Sequence, residues 1–433
     1  YSWPKTSILL VCTTHRGSDD CRPPEAVMNS KLILTCTALL GVALGSLAFS
    51  KAGIAIAGGL AILLSLQLLR KQPKLFSLSF QTPFLAFLFS IALATLLTPA
   101  SAEPWAKIDG LWPLSFLFCA GAIGKITPKP MLFFATFLGL AGAGGLYSVG
   151  MAIDWLPPHK IYSGRHIGPT HIFAFSVVMT TALPVALDFA FRAQKKMRFL
   201  WVLVALLSLF ALVSTGERAN TGVGCLIAAF VPALHFKSGR AKLIGVGILL
   251  LAIPAILHFG GDKLAGLLSF DFANLNSSDT MRAAHWSVAW DSWKTAPLFG
   301  HGLGTYSDLA VQHPVHGDFL RTPVRHGQFA AHSYPLHTLA TQGLFGLACV
   351  CWCAAAILMS FVRAFKARPQ AATYGIFACL IFAGTSLTDT PMYQSVRLAA
   401  FTLLAGFSYG LIVADQNKML GSKQMTPPKE GVL

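Results

Sequence analysis

Long apolar runs separated by short polar connections dominate the chain. Most runs have about 17–25 residues, the length with which a helix crosses ~30 Å of hydrocarbon, and the period-2 alternation of a membrane β-barrel is absent. The twelve runs lie at approximately 32–50, 52–69, 80–98, 110–124, 131–153, 170–191, 199–215, 222–236, 242–259, 334–361, 372–388 and 393–414. The pattern predicts an all-α integral membrane protein with about 12 transmembrane helices.

The composition agrees with this class. Hydrophobic residues make up 54% and charged residues 12% of the 433 residues, and the mean hydropathy is +0.61; a soluble domain has roughly 25% charged residues. The formal net charge of +16 would suggest a nucleic-acid partner for a soluble protein. Here the basic residues lie at loop ends, where they set topology and face anionic lipid. We therefore expect membrane lipids, and no nucleic acid, as partners.

Five clusters of Lys and Arg follow the second, fourth, sixth, eighth and tenth runs, so all five fall on one side of the membrane. They are Arg70, Lys71 and Lys74; Lys125 and Lys129; Arg192, Lys195, Lys196 and Arg198; Lys237, Arg240 and Lys242; and Arg363, Lys366 and Arg368. Because short cytoplasmic loops are enriched in Lys and Arg, this side is predicted to be cytoplasmic, together with both termini.

The runs divide the chain into five regions. Residues 1–30 form a polar, proline-containing extension or disordered tail in which Met28 is a candidate native start; residues 31–259 carry helices 1–9; residues 260–332 form a large outer, periplasmic loop with short helices; residues 333–415 carry helices 10–12; and residues 416–433 form a cytoplasmic tail. The long outer loop and most of the histidines lie opposite the basic clusters, so we expect any chemistry on that side.

Four arginines lie near the predicted outer boundary of the membrane: Arg165, Arg218, Arg282 and Arg397. A charge there is expensive unless it snorkels, is paired or binds a ligand. Pairing with Glu217 or Asp389 is the structural alternative, whereas several arginines on one face favour an anion-binding cluster. A guanidinium binds diphosphate oxygens in bidentate fashion and stays charged, so a diphosphate-linked lipid is the predicted substrate.

The segment "HSYPLHTLATQGLFG" opens the tenth run. Ser333 suits an N-cap and Pro335 is tolerated in the first turn, which puts His332 at the outer helix end. With a pKa near 6.5, a histidine there can act as a general base or serve as a hydrogen-bonded interfacial residue. At about 100° per residue, Gly343 and Gly346 return to within roughly 40° of the His332 direction. The small face they form is predicted to let a helix or lipid chain pack closely.

The spacing of this segment resembles the H[NSQ]x9GxxG signature of bacterial O-antigen ligases. Their superfamily also holds O-antigen polymerases and O-oligosaccharyltransferases. The stretch "RAAHWSVAWDSWKTAPLFGHGLGTY" from Arg282 to Tyr306 resembles the Arg, Trp, Pro-x-x-Gly-x-Gly region of the family, and "STGERANTG" and "GRHIGPTHIFAF" are similar to its earlier arginine segments. The likeness covers roughly residues 160–390.

The resemblance implies an O-antigen ligase in lipopolysaccharide biosynthesis. Such an enzyme is a GT-C-like glycosyltransferase of the bacterial inner membrane with a periplasmic active site. It moves O-antigen polysaccharide from undecaprenyl diphosphate to lipid A-core, with inversion and with neither ATP nor a cofactor. On this basis His332, Arg282 and Arg218 are the expected catalytic residues. The expected diphosphate- and glycan-binding residues are Arg165, Arg218, Arg282 and Trp286, with Gly343 and Gly346 packing helices near the site.

A metal is not expected, and two other functions stay open. The outer loops contain no DxD pair to hold a divalent ion, and His313 and His316 form an HxxH without a third ligand at suitable spacing. A polymerase or protein O-oligosaccharyltransferase would keep the donor chemistry and change the acceptor. A lipid-linked sugar transporter or flippase would need alternating access, but no repeat relates the two halves and the polar residues gather on one face.

Overall fold

The computed structural model describes residues 30–99, 104–156, 169–235, 277–314 and 330–424. Within these ranges the regular secondary structure is helical, and no strand occurs. The α-helices are α1 Ser30–Ser46, α2 Lys51–Lys71, α3 Gln81–Leu96, α4 Trp105–Ile108, α5 Ser115–Ile126, α6 Met131–Ala152, α7 Ile172–Arg192, α8 Lys195–Thr215, α9 Arg218–His235, α10 Ser277–Thr295, α11 Tyr306–Gln312, α12 Tyr334–Ala364, α13 Pro369–Ser386 and α14 Ser395–Gln424. The predicted ninth run at 242–259 and the extension at 1–29 lie outside the described residues.

Six of the described helices are long and apolar enough to cross a membrane: α2, α6, α7, α8, α12 and α14. Two shorter apolar helices, α1 and α3, accompany them. The prediction of an α-helical, multi-pass membrane protein is thereby confirmed, while the count of twelve spans stays a prediction. The fourth run differs in form, because residues Asp109–Leu114 make a 3-10 helix that contains Pro113, and only the 12 residues of α5 are α-helical.

Local chemistry sets several of the helix ends. Ser50 caps α2 by accepting a hydrogen bond from the Ala52 N–H at 3.1 Å. The side chain of His171 accepts the N–H of Phe173 at the start of α7. Gly216 ends α8 at φ 63, a left-handed conformation that glycine adopts without steric penalty. These caps satisfy backbone groups that a helix end leaves without intrahelical partners.

The closest described pair of helices, α5 and α14, meets along a seam of glycines. A Cβ added to Gly410 would lie 2.2 Å from the Gly121 carbonyl oxygen, and one added to Gly124 would lie 2.5 Å from the Phe407 carbonyl oxygen. Membrane helices gain little from apolar burial against one another, so small residues that let backbones approach are an important source of attraction. The seam therefore anchors the short helix α5 in the bundle.

One end of the bundle is held by a buried carboxylate. Asp188 of α7 is fully buried and accepts hydrogen bonds from Arg192, from Tyr374 Oη at 2.7 Å and from His235 Nε2 at 2.8 Å. A buried charge persists only when it is paired and hydrogen-bonded. The cluster ties the C-terminal ends of α7 and α9 to the start of α13, and Arg363 ends α12 at the same side. We call this side the basic end.

The opposite side, which we call the site end, gathers the starts of α7, α9 and α14. Asn220 of α9 donates to Ser176 Oγ of α7 at 2.7 Å. Arg397 of α14 lies over the Phe173 ring of α7, with 5.2 Å between Cζ and the ring centroid. The helices that carry predicted outer residues thus converge at one end of the bundle.

Candidate active site

His332 lies just before α12, with a backbone conformation that few residues adopt. Its φ is 49°, and the only other non-glycine residue with a positive φ in the described ranges is Asp154. For an L-residue the left-handed region costs roughly 1–2 kcal/mol, and such strain gathers at functional sites. Ser333 takes the predicted N-cap position, although its side chain makes no capping hydrogen bond. The His332 side chain is 39% exposed.

The imidazole of His332 lies beside a carboxylate and a second histidine. Its Nδ1 is 3.9 Å from Asp389 Oδ1, and its ring centroid is 5.5 Å from that of His285. Partial burial lowers the pKa of His332 below 6.5; the charges of Arg282 and Arg397 lower it further, and Asp389 opposes them. The imidazole is therefore neutral at pH 7 and able to accept a proton.

Asp389 joins His332 to a buried arginine. Its Oδ1 accepts the N–H of Thr390 at 2.8 Å and Nε2 of Gln394 at 3.1 Å, while Oδ2 pairs with Arg397. Arg397 is only 4% exposed. For Arg397 the structural alternative is thus correct, since it pairs with Asp389 as the sequence allowed. The closeness of Asp389 to His332 was not predicted.

Helix α10 brings Arg282 and Trp286 to the same place. The two residues are four apart, so they share one helix face, and Trp286 Nε1 donates to the His332 carbonyl oxygen at 3.4 Å. His285, also on α10, was not predicted as a site residue and is buried. The Tyr306 hydroxyl donates to its carbonyl oxygen at 2.7 Å. Burial, followed by the charge of His332, lowers the pKa of His285 to about 4. This second histidine is neutral and packs against the first.

The geometric argument for the two predicted glycines is wrong at Gly343. This residue has φ 67 and ψ −167, so the helical count of 100° per residue does not continue through it. That region of backbone space is essentially restricted to glycine. A Cβ on Gly343 would lie 2.3 Å from the Leu298 carbonyl oxygen, and one on Gly300 would lie 2.4 Å from the Thr341 carbonyl carbon. The break in α12 therefore accommodates the backbone of the segment that follows α10.

Four backbone hydrogen bonds join this segment to the break, and we call the arrangement the glycine clasp, formed by residues 297–302 and 340–345. The N–H groups of His301 and Gly302 donate to the carbonyls of Ala340 and Thr341 at 3.0 and 2.9 Å. In the other direction, the N–H groups of Leu344 and Phe345 donate to the carbonyls of Pro297 and Leu298 at 2.9 and 3.0 Å. The clasp replaces hydrogen bonds that an unbroken helix would have made. It also fixes α10, which carries Arg282, against the helix that follows His332.

Gly346 has a different neighbour. A Cβ there would lie 2.3 Å from the Cβ of Gln342 in the preceding turn. The space is used by the Gln342 side chain, whose Nε2 donates to Tyr393 Oη at 2.9 Å. Packing of a further helix or lipid chain at Gly343 and Gly346 stays a prediction.

Residues 203–351 match the family model described as O-Antigen ligase. The match covers about one third of the chain and includes Arg218, the whole of α10 and His332. This match supports a relation of the matched segment to the O-antigen ligase/polymerase superfamily. A search of curated proteins finds no match.

The remaining predicted site residues are Arg218, which the structure describes, and Arg165, which it does not. Arg218 is the exposed first residue of α9 at the site end, two positions before the Asn220 that binds α7. Arg165 lies outside the described residues. The structure thus brings His332, Arg282 and Trp286 together and leaves Arg218 at the same end of the bundle. These roles stay predictions.

Among the described residues, no three His, Cys, Asp or Glu side chains come together as a metal site. His313, one half of the HxxH, lies 3.4 Å from Asp291 Oδ2 through its Nε2. The other half, His316, lies outside the described residues.

Proposed function

We propose that this protein is an O-antigen ligase. It transfers a polysaccharide from undecaprenyl diphosphate to lipid A-core at the periplasmic face of the bacterial inner membrane. The observation that carries the proposal is the neutral, half-exposed His332 beside Arg282, within the segment that matches the O-Antigen ligase family. A base next to a fixed cation suits displacement of an anionic leaving group by a hydroxyl.

In this reaction His332 takes the proton from the acceptor hydroxyl while its oxygen attacks the anomeric carbon. The bond from that carbon to the diphosphate oxygen breaks, and the electron pair leaves with undecaprenyl diphosphate. In-line attack inverts the anomeric centre. Arg282 and Arg218 bind the diphosphate and stabilise the charge that grows on it, as fixed cations do in a site with little water.

Asp389 supports the base in this scheme. The carboxylate of Asp389, 3.9 Å from His332 Nδ1, would stabilise the protonated imidazole by charge attraction. Arg397 holds this carboxylate in place by pairing with its other oxygen, Oδ2. The Trp286 contact to the His332 carbonyl fixes the strained turn on its other side. These contacts make Asp389 and Trp286 positioning residues, while the proton itself moves only to His332.

The test is transfer by the purified full chain in proteoliposomes with lipid-linked glycan and three separate acceptors. The acceptors are lipid A-core, a second lipid-linked glycan and a pilin-like protein. Transfer to lipid A-core that disappears in His332→Ala and persists in His313→Ala, a matched histidine on the α11 side, supports the proposal. Transfer only to the second glycan or to the protein would instead identify a polymerase or a protein glycosylating enzyme. Unchanged transfer in His332→Ala would exclude the base.

The scheme needs no metal, and this can be tested separately. We expect transfer to survive EDTA. Loss of transfer in EDTA, with recovery on addition of one divalent ion, would refute the metal-independent mechanism.

A further inference from the structure

A groove of about 540 Å³ opens at the basic end of the bundle, far from His332. The second half of α12, the second half of α14 and the start of α3 line it. His332 and Arg363 are separated by almost the whole of α12, which at 1.5 Å per residue is roughly 45 Å. The groove is therefore separate from the candidate active site.

The walls of the groove are apolar and open toward the membrane. Trp352 and Met359 of α12 are 51% and 41% exposed although they lie in a membrane-spanning helix, so they face lipid. The floor is buried and is formed by Phe80, Tyr409 and Ile412. Exposed aromatic and sulfur side chains over an apolar floor provide a surface for a hydrocarbon chain.

The end of the groove carries a positive charge. Arg363, in the last turn of α12, lines it and is exposed. A second cation lies behind the floor: Lys125 donates to the carbonyls of Leu75 and Ser77, both at 2.7 Å, and its Nζ is 5.9 Å from the centre of the Tyr409 ring. An arginine near the membrane surface attracts and binds phosphate oxygens. An apolar trough that ends at a guanidinium matches an amphiphile with an anionic head.

We propose that this groove binds an anionic phospholipid from the membrane leaflet at the basic end. One acyl chain lies along Trp352, Met359 and Ile412, and the phosphate contacts Arg363. The lipid fills the gap between α12 and α14, which meet far less closely than α12 meets α3 or α13. This site does not depend on the proposed transferase function.

The experiment measures lipid binding to the full chain in a non-ionic detergent by native mass spectrometry. Phosphatidylglycerol is the anionic probe and phosphatidylcholine the zwitterionic one. We expect phosphatidylglycerol to bind about tenfold more tightly, a difference of ~1.4 kcal/mol. Arg363→Gln should remove this preference, whereas Lys366→Gln should keep it, because Lys366 is an exposed cation three residues away that does not line the groove.

A second variant tests the groove itself. Ala356→Trp places a large ring in the trough and should reduce binding of both lipids, with helicity and monodispersity checked first. If that variant does not fold, the comparison of Arg363→Gln with Lys366→Gln decides alone. Equal affinity for the two lipids, or equal losses in the two charge variants, would overturn the site. Displacement of phosphatidylglycerol by equimolar undecaprenyl phosphate would also overturn it, by assigning the groove to a polyprenyl lipid.

Discussion

Replacement of Gly343 by alanine should break the glycine clasp. The added Cβ would meet the Leu298 carbonyl oxygen at 2.3 Å, the Leu298 carbonyl carbon at 2.4 Å and the Phe299 nitrogen at 2.5 Å. All three are backbone atoms, so rotation of a side chain cannot relieve the contact. The alanine would also have to hold φ 67 and ψ −167, which only glycine adopts readily.

The size of the effect follows from these two terms. Forcing a non-glycine residue into this conformation costs about 1–3 kcal/mol. If the clasp opens instead, the hydrogen bonds of Leu344 and Phe345 are lost, each with a net contribution of ~0.5–1.5 kcal/mol. Either response alone costs ~1–3 kcal/mol, so we expect Gly343→Ala to destabilise the protein by ~1–3 kcal/mol if one relieves the other and by up to ~6 kcal/mol if both occur.

The assay is thermal unfolding of the purified full chain in detergent, followed by loss of the monodisperse species. Gly139→Ala is the matched control, because a Cβ on that helical glycine would meet nothing within 4 Å. That control should be neutral or stabilising by up to ~1 kcal/mol. Gly346→Ala should fall between the two, because its Cβ would meet the Gln342 Cβ, which is fixed to the backbone, at 2.3 Å, but Gly346 does not have the positive φ of Gly343. An unfolding temperature for Gly343→Ala equal to that of Gly139→Ala would refute the clasp as a stabilising feature.

Two further predictions concern charge. A base must be neutral to act, and burial lowers the pKa of His332 below 6.5, so transfer should persist at pH 6.5 and fall only on further acidification. In a pH–rate profile of the residual activity, Arg282→Gln should shift this acid limb to higher pH and Asp389→Asn should shift it to lower pH. Shifts of both variants in one common direction would contradict the assignment. Asp188→Asn should destabilise the fold by roughly 3–5 kcal/mol, because it removes a fully buried carboxylate that pairs with a partly exposed arginine and with two further groups. Asp291→Asn, in an exposed pair with a lysine, should leave the unfolding temperature unchanged; similar shifts in both would disprove the contrast.

The sequence predicted elements well where one physical signal dominates. Apolar runs of membrane length predicted the helix class, and α6 at Met131–Ala152 matches its run at 131–153 almost residue for residue. The N-cap position of Ser333 followed from its chemistry and from the proline behind it. Such features depend on neighbours within one or two helix turns.

Features that depend on distant segments were not predictable in the same way. Asp389 lies 57 residues after His332 along the chain, in the connection that follows α13, and the packing of α12 against α13 brings the two residues together. Gly343 was assigned to a regular helix because the count of 100° per residue contains no information on the segment that occupies the break. For Asp188 a signal existed, since a carboxylate four residues before Arg192 near the end of an apolar run predicts an intramembrane ion pair.

The glycine seam between α5 and α14 has a consequence for how the protein is made. With 12 residues, α5 is about 18 Å long, well short of the ~30 Å hydrocarbon layer. Its backbone is covered by α14, which the ribosome delivers only after every intervening helix has been synthesised. Until α14 has been synthesised, the glycine face of α5 therefore lacks its partner helix. The packing of α5 is therefore completed only at the end of synthesis. A chain that stops before Gly406 contains an α5 whose glycine face α14 does not cover.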